Sequence, residues 1–111
     1  MRNDFEWLKD ILDEIEFIQK YSVQGEDAFQ ENELIQTWMV HHLQIIGEAA
    51  SKISEKFRTE NPSIRWREIT SLRNFIVHQY FGIDLEEIWN TIVTDIPILK
   101  RQIQEIISKK S

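Results

Sequence analysis

The chain has 111 residues, the length of one domain, and its net charge of −6 counts against broad nucleic-acid binding through many basic side chains. It has no cysteine, which excludes disulfide bonds, thiolate metal sites and a thiol nucleophile. No apolar stretch resembles a signal peptide or a membrane span. We therefore expect a cytoplasmic protein with a single domain over residues 1–111.

The first half of the chain predicts two long helices and a short one between them. Apolar residues recur every three or four positions over residues 4–21, which is the period of an amphipathic helix. Gly25 suits a chain reversal, and residues 27–30 could form one helical turn. The second long helix is predicted over residues 32–57.

Small residues cluster in the middle of this second long helix, at Gly47, Ala49, Ala50 and Ser51. They would let the backbone of another helix approach closely. Glu48 lies inside the cluster. A helix carboxylate is more often simply exposed, but this one could face an arginine on the motif helix described below.

The second half of the chain predicts two further helices. Asn61-Pro62 is typical of a cap followed by a first helical turn, and the motif helix is predicted over residues 66–80. Phe81-Gly82 is expected to end it. Asp84 is expected to cap the last helix in a capping-box-like pairing with Glu87.

Pro97 lies inside the last helical pattern and should kink or split that helix near Asp95. The sequence contains no repeat, no low-complexity tract and no alternation typical of strands. We therefore predict an all-α fold, an up-and-down bundle of four main helices whose last helix is kinked near Pro97.

A set of polar side chains falls within eight residues of the motif helix: Arg73, Asn74, His78 and Tyr80. Arg73 offers a fork of donors suited to a phosphate, and His78 can exchange a proton near neutral pH. On an ideal helix these two side chains point about 140° apart, so they could converge through the arginine stem, a helix break or a two-fold axis. Spacing alone favours a plainer alternative, in which Arg73 pairs with a neighbouring carboxylate and His78 is a satisfied interfacial histidine.

The other histidines do not predict a metal site. His41 and His42 are adjacent and point to different sides of a helix, and no acidic residue lies at a persuasive ligand spacing. We interpret them as partly buried surface histidines. Positive charge gathers within sixteen positions that contain Arg58, Arg65, Arg67 and Arg73, so a local positive cleft remains compatible with the acidic chain.

The motif Arg73-Asn74-x-x-x-His78-x-Tyr80 resembles the R-x4-H-x-Y signature of HepT-type HEPN proteins, the toxin half of prokaryotic HEPN/MNT toxin–antitoxin pairs. Residues 43–50 resemble the second-helix block of that family. Residues 66–69 with 72–74 resemble the approach to its motif, and residues 80–85 resemble the exit. Because these blocks occur in the right order over nearly the whole chain, the resemblance outweighs the plainer alternative.

The resemblance implies a HEPN-like bundle that acts as a homodimeric, metal-independent endoribonuclease, with tRNA among its candidate substrates. His78 would be the general base or acid, Arg73 would hold the scissile phosphate, and Asn74 would orient substrate or His78. RNA supplies its own nucleophile, so no metal or cofactor is expected. From charge alone, Arg65 and Arg67 are further candidates for RNA contacts.

The resemblance also implies a role for Tyr80. In a type VII-like pair, an MNT-type nucleotidyltransferase antitoxin would use ATP to attach AMP to this tyrosine and silence the toxin. A hypothesis of a different class is a non-catalytic helical module that binds and regulates such a partner. The intact set of Arg73, Asn74, His78 and Tyr80 favours the enzyme.

Overall fold

The computed structural model describes residues 2–74 and 84–110, and within these two ranges it contains helices and turns but no strand. The helices are α1 (Asp4–Ser22), α2 (Glu26–Glu31), α3 (Glu33–Ser51), α4 (Glu55–Glu60), α5 (Trp66–Ser71), α6 (Leu85–Asn90) and α7 (Ile96–Lys110). A wide π-turn over Thr91–Asp95 joins α6 to α7. α3 packs against α1 and α5, and α7 packs against α1. The prediction of an all-α helical bundle is confirmed.

The sequence of α1 accounts for both its start and its buried face. The side chain of Asn3 accepts a hydrogen bond from the Glu6 backbone N–H at 2.9 Å, which satisfies one of the unpaired amides at the helix start. Fully buried residues then recur at the predicted spacing, at Leu8, Ile11, Ile15 and Ile18. Burial of each such side chain stabilises the fold by about 1.5–3 kcal/mol.

The predicted short helix is present as α2, and the turns on either side of it have clear local causes. Gly25 has a φ of +93°, a conformation that side-chain-bearing residues rarely adopt. At the other end, the Asn32 side chain accepts from the Leu34 and Ile35 amides at 2.9 and 3.3 Å and so starts α3. The apolar face of α3 forms the centre of the core with Met39, Leu43, Ile46 and Ala50 fully buried.

The prediction of one helix over residues 32–57 is wrong, because the chain breaks at residues 52–54 between α3 and α4. The Ser54 hydroxyl accepts from the Phe57 amide at 3.2 Å and donates to one Asp4 carboxylate oxygen at 2.8 Å. The Ser54 backbone N–H donates to the other oxygen, also at 2.8 Å. This bridge to α1 sets a new helix start and therefore ends the longer helix.

The interpretation of Asn61-Pro62 as a helix start is also wrong, since Asn61 ends α4. Its backbone N–H donates to the Arg58 carbonyl at 3.2 Å, and its side-chain amide donates to the Phe57 carbonyl at 3.0 Å. α5 begins at Trp66, whose indole N–H donates to the Asn61 carbonyl at 3.0 Å. The asparagine thus satisfies carbonyls left unpaired at the end of α4.

The predicted motif helix is described over its first part. α5 is followed by a 3₁₀ turn over residues 72–74, and Trp66, Ile69 and Leu72 bury its apolar side. The remainder of the predicted helix, and its predicted end at Phe81-Gly82, lie outside the described residues.

The last helix starts as predicted, and its regular α-helical pattern is interrupted just before Pro97. The Asp84 carboxylate accepts from the Glu87 backbone N–H at 3.1 Å. The wide turn before Pro97 is closed by a hydrogen bond from the Ile96 N–H to the Thr91 carbonyl, five residues back. Because proline has no N–H and its ring crowds the preceding helical turn, a widened turn accommodates it at this point.

The two ends of the described chain meet on one side of the bundle. The ammonium group of Lys110 lies 3.9 Å from the centroid of the Phe5 ring. The same ring packs edge-on against Phe57, with the centroids 5.6 Å apart. α1, α4 and the end of α7 therefore share one aromatic contact. No helix in residues 2–74 and 84–110 is long and apolar enough to cross a membrane.

Candidate functional site

The turn that carries Arg73 lies directly on the backbone of α3 at Gly47. A Cβ atom added to Gly47 would lie 2.5 Å from the Arg73 backbone nitrogen and 3.0 Å from the Thr70 carbonyl oxygen. Side chains do not occur at such distances, so this approach requires glycine. The expectation that the small-residue cluster admits another backbone is therefore confirmed.

The Arg73 guanidinium faces α3 and remains accessible to solvent. Its Nη1 lies 3.7 Å from Oε1 of Glu48, and the two side chains are 45% and 58% exposed. The expectation that Glu48 could face an arginine of the motif helix is confirmed. An ion pair this exposed contributes roughly 0–1 kcal/mol, so the guanidinium can still bind a further anion.

Side-chain and backbone contacts together fix the position of this turn. The side-chain amide of Gln44 donates to the Arg73 carbonyl at 3.2 Å. Asn74 follows in the same 3₁₀ turn and is exposed. Two of the predicted site residues, Arg73 and Asn74, thus lie next to each other at the surface.

His78 and Tyr80 lie outside the described residues. The predicted roles of His78 in proton transfer and of Tyr80 as a modification site therefore stay predictions.

The other arginines between residues 58 and 73 differ in their surroundings. Arg58 is half-buried and donates from Nη2 to the Ala50 carbonyl at 2.8 Å, so it closes the end of α3. Arg65 and Arg67 are exposed at the start of α5. Arg65 lies 3.6 Å from Glu68, and the side chains of this pair are 72% and 57% exposed. Both exposed arginines are accessible to a ligand, and their part in RNA binding stays a prediction.

His42 is buried inside the bundle, which corrects its interpretation as a partly buried surface histidine, whereas His41 is exposed. The Nδ1–H of His42 donates to the Glu14 carboxylate on α1. The His42 ring also stacks on Phe17, with the centroids 5.0 Å apart. The sequence offers one signal for this pair: Glu14 lies among the apolar residues of α1, where an unpaired carboxylate would be costly to bury.

The chemistry that the described residues offer is the binding of an anion. In residues 2–74 and 84–110, no group of three or more histidine, cysteine, aspartate or glutamate side chains is placed to hold a metal ion. The Arg73 turn instead offers a permanently charged guanidinium beside the exposed amide of Asn74. A phosphate matches the geometry of such a donor set.

Comparison with known proteins bears on this site. The model of a family described as "Ribonuclease HepT-like" matches residues 11–106. A candidate RNase of Caldanaerobacter subterraneus subsp. tengcongensis is 33% identical over 111 residues, which cover 99% of both chains. A candidate HepT ribonuclease of Thermococcus cleftensis is 33% identical over 108 residues, covering 95% of this chain and 96% of its own. A candidate RNase of Methanocaldococcus jannaschii is 34% identical over 102 residues, covering 91% of this chain and 84% of its own.

No solved structure matches the chain. The family model nevertheless spans both the turn that carries Arg73 and the whole of the motif from Arg73 to Tyr80. The two relatives from Caldanaerobacter and Thermococcus align along nearly their full length. The chain therefore belongs to the HepT-like ribonuclease family.

Proposed function

We propose that this protein is a metal-independent endoribonuclease that cleaves RNA through Arg73 and His78. The observation that carries the proposal is the match of the HepT-like ribonuclease family over residues 11–106, within which the motif is intact. The exposed guanidinium on the 3₁₀ turn supports it, because a phosphate-binding arginine has to be accessible and weakly engaged.

The chemistry of the proposed reaction needs no metal, because the nucleophile comes from the substrate. The ribose 2′-hydroxyl loses its proton to a general base, and its oxygen attacks the adjacent phosphorus. The bond from phosphorus to the 5′-oxygen breaks, and that oxygen takes a proton from a general acid. The products are a 2′,3′-cyclic phosphate and a 5′-hydroxyl. His78 supplies the acid–base function, and Arg73 stabilises the negative charge that develops on the phosphate.

The proposed active form is a homodimer in which the motif helices of two protomers line one cleft. Two arguments support it. An arginine and a histidine about 140° apart on a helix can act on one phosphate when each comes from a different protomer. The arginines of two protomers in one cleft also offset a charge of −6 on each chain, which otherwise repels RNA.

The proposed control of the enzyme is modification of Tyr80. An MNT-type nucleotidyltransferase antitoxin would transfer AMP from ATP to the phenol oxygen, with release of pyrophosphate. An attached AMP would place a bulky anion beside the residues that bind the RNA phosphate, and so block RNA through both size and charge. The protein would then be the toxin of a type VII-like toxin–antitoxin pair.

The first test is RNA cleavage by purified protein in the presence of EDTA, with the protein produced without the partner gene so that Tyr80 is unmodified. We expect Arg73→Ala to lower the rate by at least about 100-fold and His78→Ala by about 100- to 10,000-fold. The matched controls are Arg101→Ala, at an exposed arginine of α7, and His41→Ala, at an exposed histidine of α3. Both controls should cleave like the wild type.

The cleavage products test the proposed mechanism, and the modification of Tyr80 tests the proposed control of the enzyme. Cyclic-phosphate ends support attack by the 2′-hydroxyl, and cleavage that requires added Mg²⁺ contradicts the metal-independent mechanism. Tyr80→Phe should cleave RNA but remain active after incubation with the nucleotidyltransferase and ATP. Failure of the unmodified wild-type protein to cleave any cellular RNA would instead favour a non-catalytic module that regulates its partner.

A further inference from the structure

One face of α3 contacts Arg73 at three separate points. Gln44, Gly47 and Glu48 lie at positions i, i+3 and i+4, and therefore on the same side of the helix. Gln44 donates to the Arg73 carbonyl, Gly47 lies against the Arg73 backbone nitrogen, and Glu48 faces the guanidinium. Both the backbone and the guanidinium of Arg73 are therefore positioned by contacts with one helix.

The first two contacts fix the backbone of Arg73 but leave its long side chain able to rotate. Arginine has many rotamers, and fixing its side chain in one of them loses conformational entropy. For a catalytic arginine this loss occurs either before RNA binds or during binding. In the described part of the chain, Glu48 is the carboxylate that lies within ion-pair distance of this guanidinium. It is therefore the group that can restrict the side chain before substrate arrives.

The geometry of this pair leaves room for a phosphate. The contact joins Nη1 of Arg73 to Oε1 of Glu48, whereas a guanidinium has five N–H donors. A phosphate can engage the remaining donors while Glu48 stays in place. Both side chains are about half exposed, so the carboxylate does not bury the site.

We propose that Glu48 is a positioning residue for RNA cleavage, which holds the Arg73 guanidinium over α3 in the orientation that receives the scissile phosphate. This inference rests on the ribonuclease function proposed above. It has a specific kinetic consequence, because Glu48 also places a negative charge near a polyanionic substrate. Its removal should loosen Arg73, which lowers kcat, and should reduce repulsion of RNA, which lowers or preserves KM.

The test compares two substitutions of Glu48 with the same substitutions of a matched carboxylate. Glu6 on α1 lies 3.6 Å from Arg2 and is 50% exposed, so it resembles Glu48 in both partner type and exposure. We expect Glu48→Ala to lower kcat about 3- to 5-fold without raising KM, within the energy of an exposed ion pair. Glu48→Gln, which keeps a hydrogen-bond acceptor of the same size, should recover part of that loss. Glu6→Ala and Glu6→Gln should leave kcat within about two-fold of the wild type.

A wild-type kcat in Glu48→Ala, or an equal loss in Glu6→Ala, would overturn the positioning role. A second readout does not depend on activity: the side-chain N–H signal of Arg73 in ¹⁵N NMR, assigned by its loss in Arg73→Lys. In Glu48→Ala this signal should move towards that of a freely rotating arginine. If the wild-type protein cleaves no RNA, the proposed function fails. The NMR signal then still decides whether Glu48 fixes Arg73, and an unchanged signal refutes it.

Discussion

Glu14 and His42 join α1 to α3 from inside the bundle, with side chains that are 15% and 9% exposed. The carboxylate accepts the Nδ1–H of the imidazole, and within the described residues the other ring nitrogen has no hydrogen-bond partner. A buried polar pair of this kind costs more when one partner is removed than when both are replaced.

Glu14→Ala should therefore lower the free energy of unfolding by about 1–3 kcal/mol, because both nitrogens of the buried ring would then lack partners. The double variant Glu14→Leu with His42→Phe should recover most of that loss, since it fills the same space with apolar groups that pack on Phe17 and Trp38. Urea denaturation measures these changes, and Glu16→Ala on the exposed face of α1 is the control. Equal stabilities for Glu14→Ala and Glu16→Ala would show that the pair contributes nothing.

A residue's partner can be predicted when the sequence around that residue marks a helix contact. Beside its interpretation as a simply exposed carboxylate, Glu48 was a candidate to face an arginine because small residues around it mark a helix contact. It is both exposed and placed beside Arg73. The partner of His42, which lies 28 residues earlier on α1, could not be predicted because no such mark surrounds the histidine. Ile46, one turn further along α3, does not indicate that His42 faces α1. Pairing across helices depends on how they are rotated against each other, and the periodicity of one helix does not contain that information.

At the scale of the helices, α3 and the turn that follows α5 approach closely because Gly47 has no side chain. A methyl group on Gly47 would collide with the backbone of the Arg73 turn, where neither atom belongs to a flexible side chain. Gly25 makes a useful contrast. It has no atom within 4 Å of an added Cβ, and its requirement for glycine comes from its φ of +93°.

Gly47→Ala and Gly25→Ala should both lower the unfolding free energy by about 1–3 kcal/mol, the first through overpacking and the second through backbone strain. Their effects on RNA cleavage should differ. Gly47→Ala displaces Arg73 and should reduce kcat at least about 10-fold, while Gly25→Ala should leave kcat unchanged at a temperature where both variants are folded. Thermal unfolding and cleavage assays check this pair, and a normal kcat for Gly47→Ala would mean that Arg73 tolerates displacement.

Some helix boundaries could be predicted because their cause is local. Asp84 and Glu87 are three residues apart, and their cap was predicted and is confirmed. The break between α3 and α4 was not predicted, because residues 51–55 contain neither glycine nor proline. It arises from hydrogen bonds between Ser54 and Asp4, which are 50 positions apart in sequence. Only the packed bundle brings those residues together.

At the scale of the whole molecule, the proposed homodimer predicts that each active site combines residues from both chains. If Arg73 of one protomer and His78 of its partner act on the same phosphate, mixing two inactive variants should restore activity. In a mixture of Arg73→Ala and His78→Ala, half of the dimers contain one chain of each kind. Each of these dimers has one intact pair out of two.

The mixture should therefore reach about one quarter of the wild-type rate after subunit exchange. Cleavage before and after brief unfolding and refolding of the mixed proteins measures this, and each variant refolded alone is the control. No recovery, in a mixture that native mass spectrometry shows to contain mixed dimers, would place Arg73 and His78 of one chain in the same site.

The contact between Lys110 and Phe5 brings the two ends of the described chain next to each other. A short peptide could therefore join them, and new termini could be opened in the exposed turn around Val23 and Gln24 without cutting any described helix. In such a circular permutant, α1 would become the last helix of the chain. The contacts of Gln44, Gly47 and Glu48 with Arg73 would remain within one uninterrupted segment. The order in which the helices are connected is thus separable from the packing that positions the arginine.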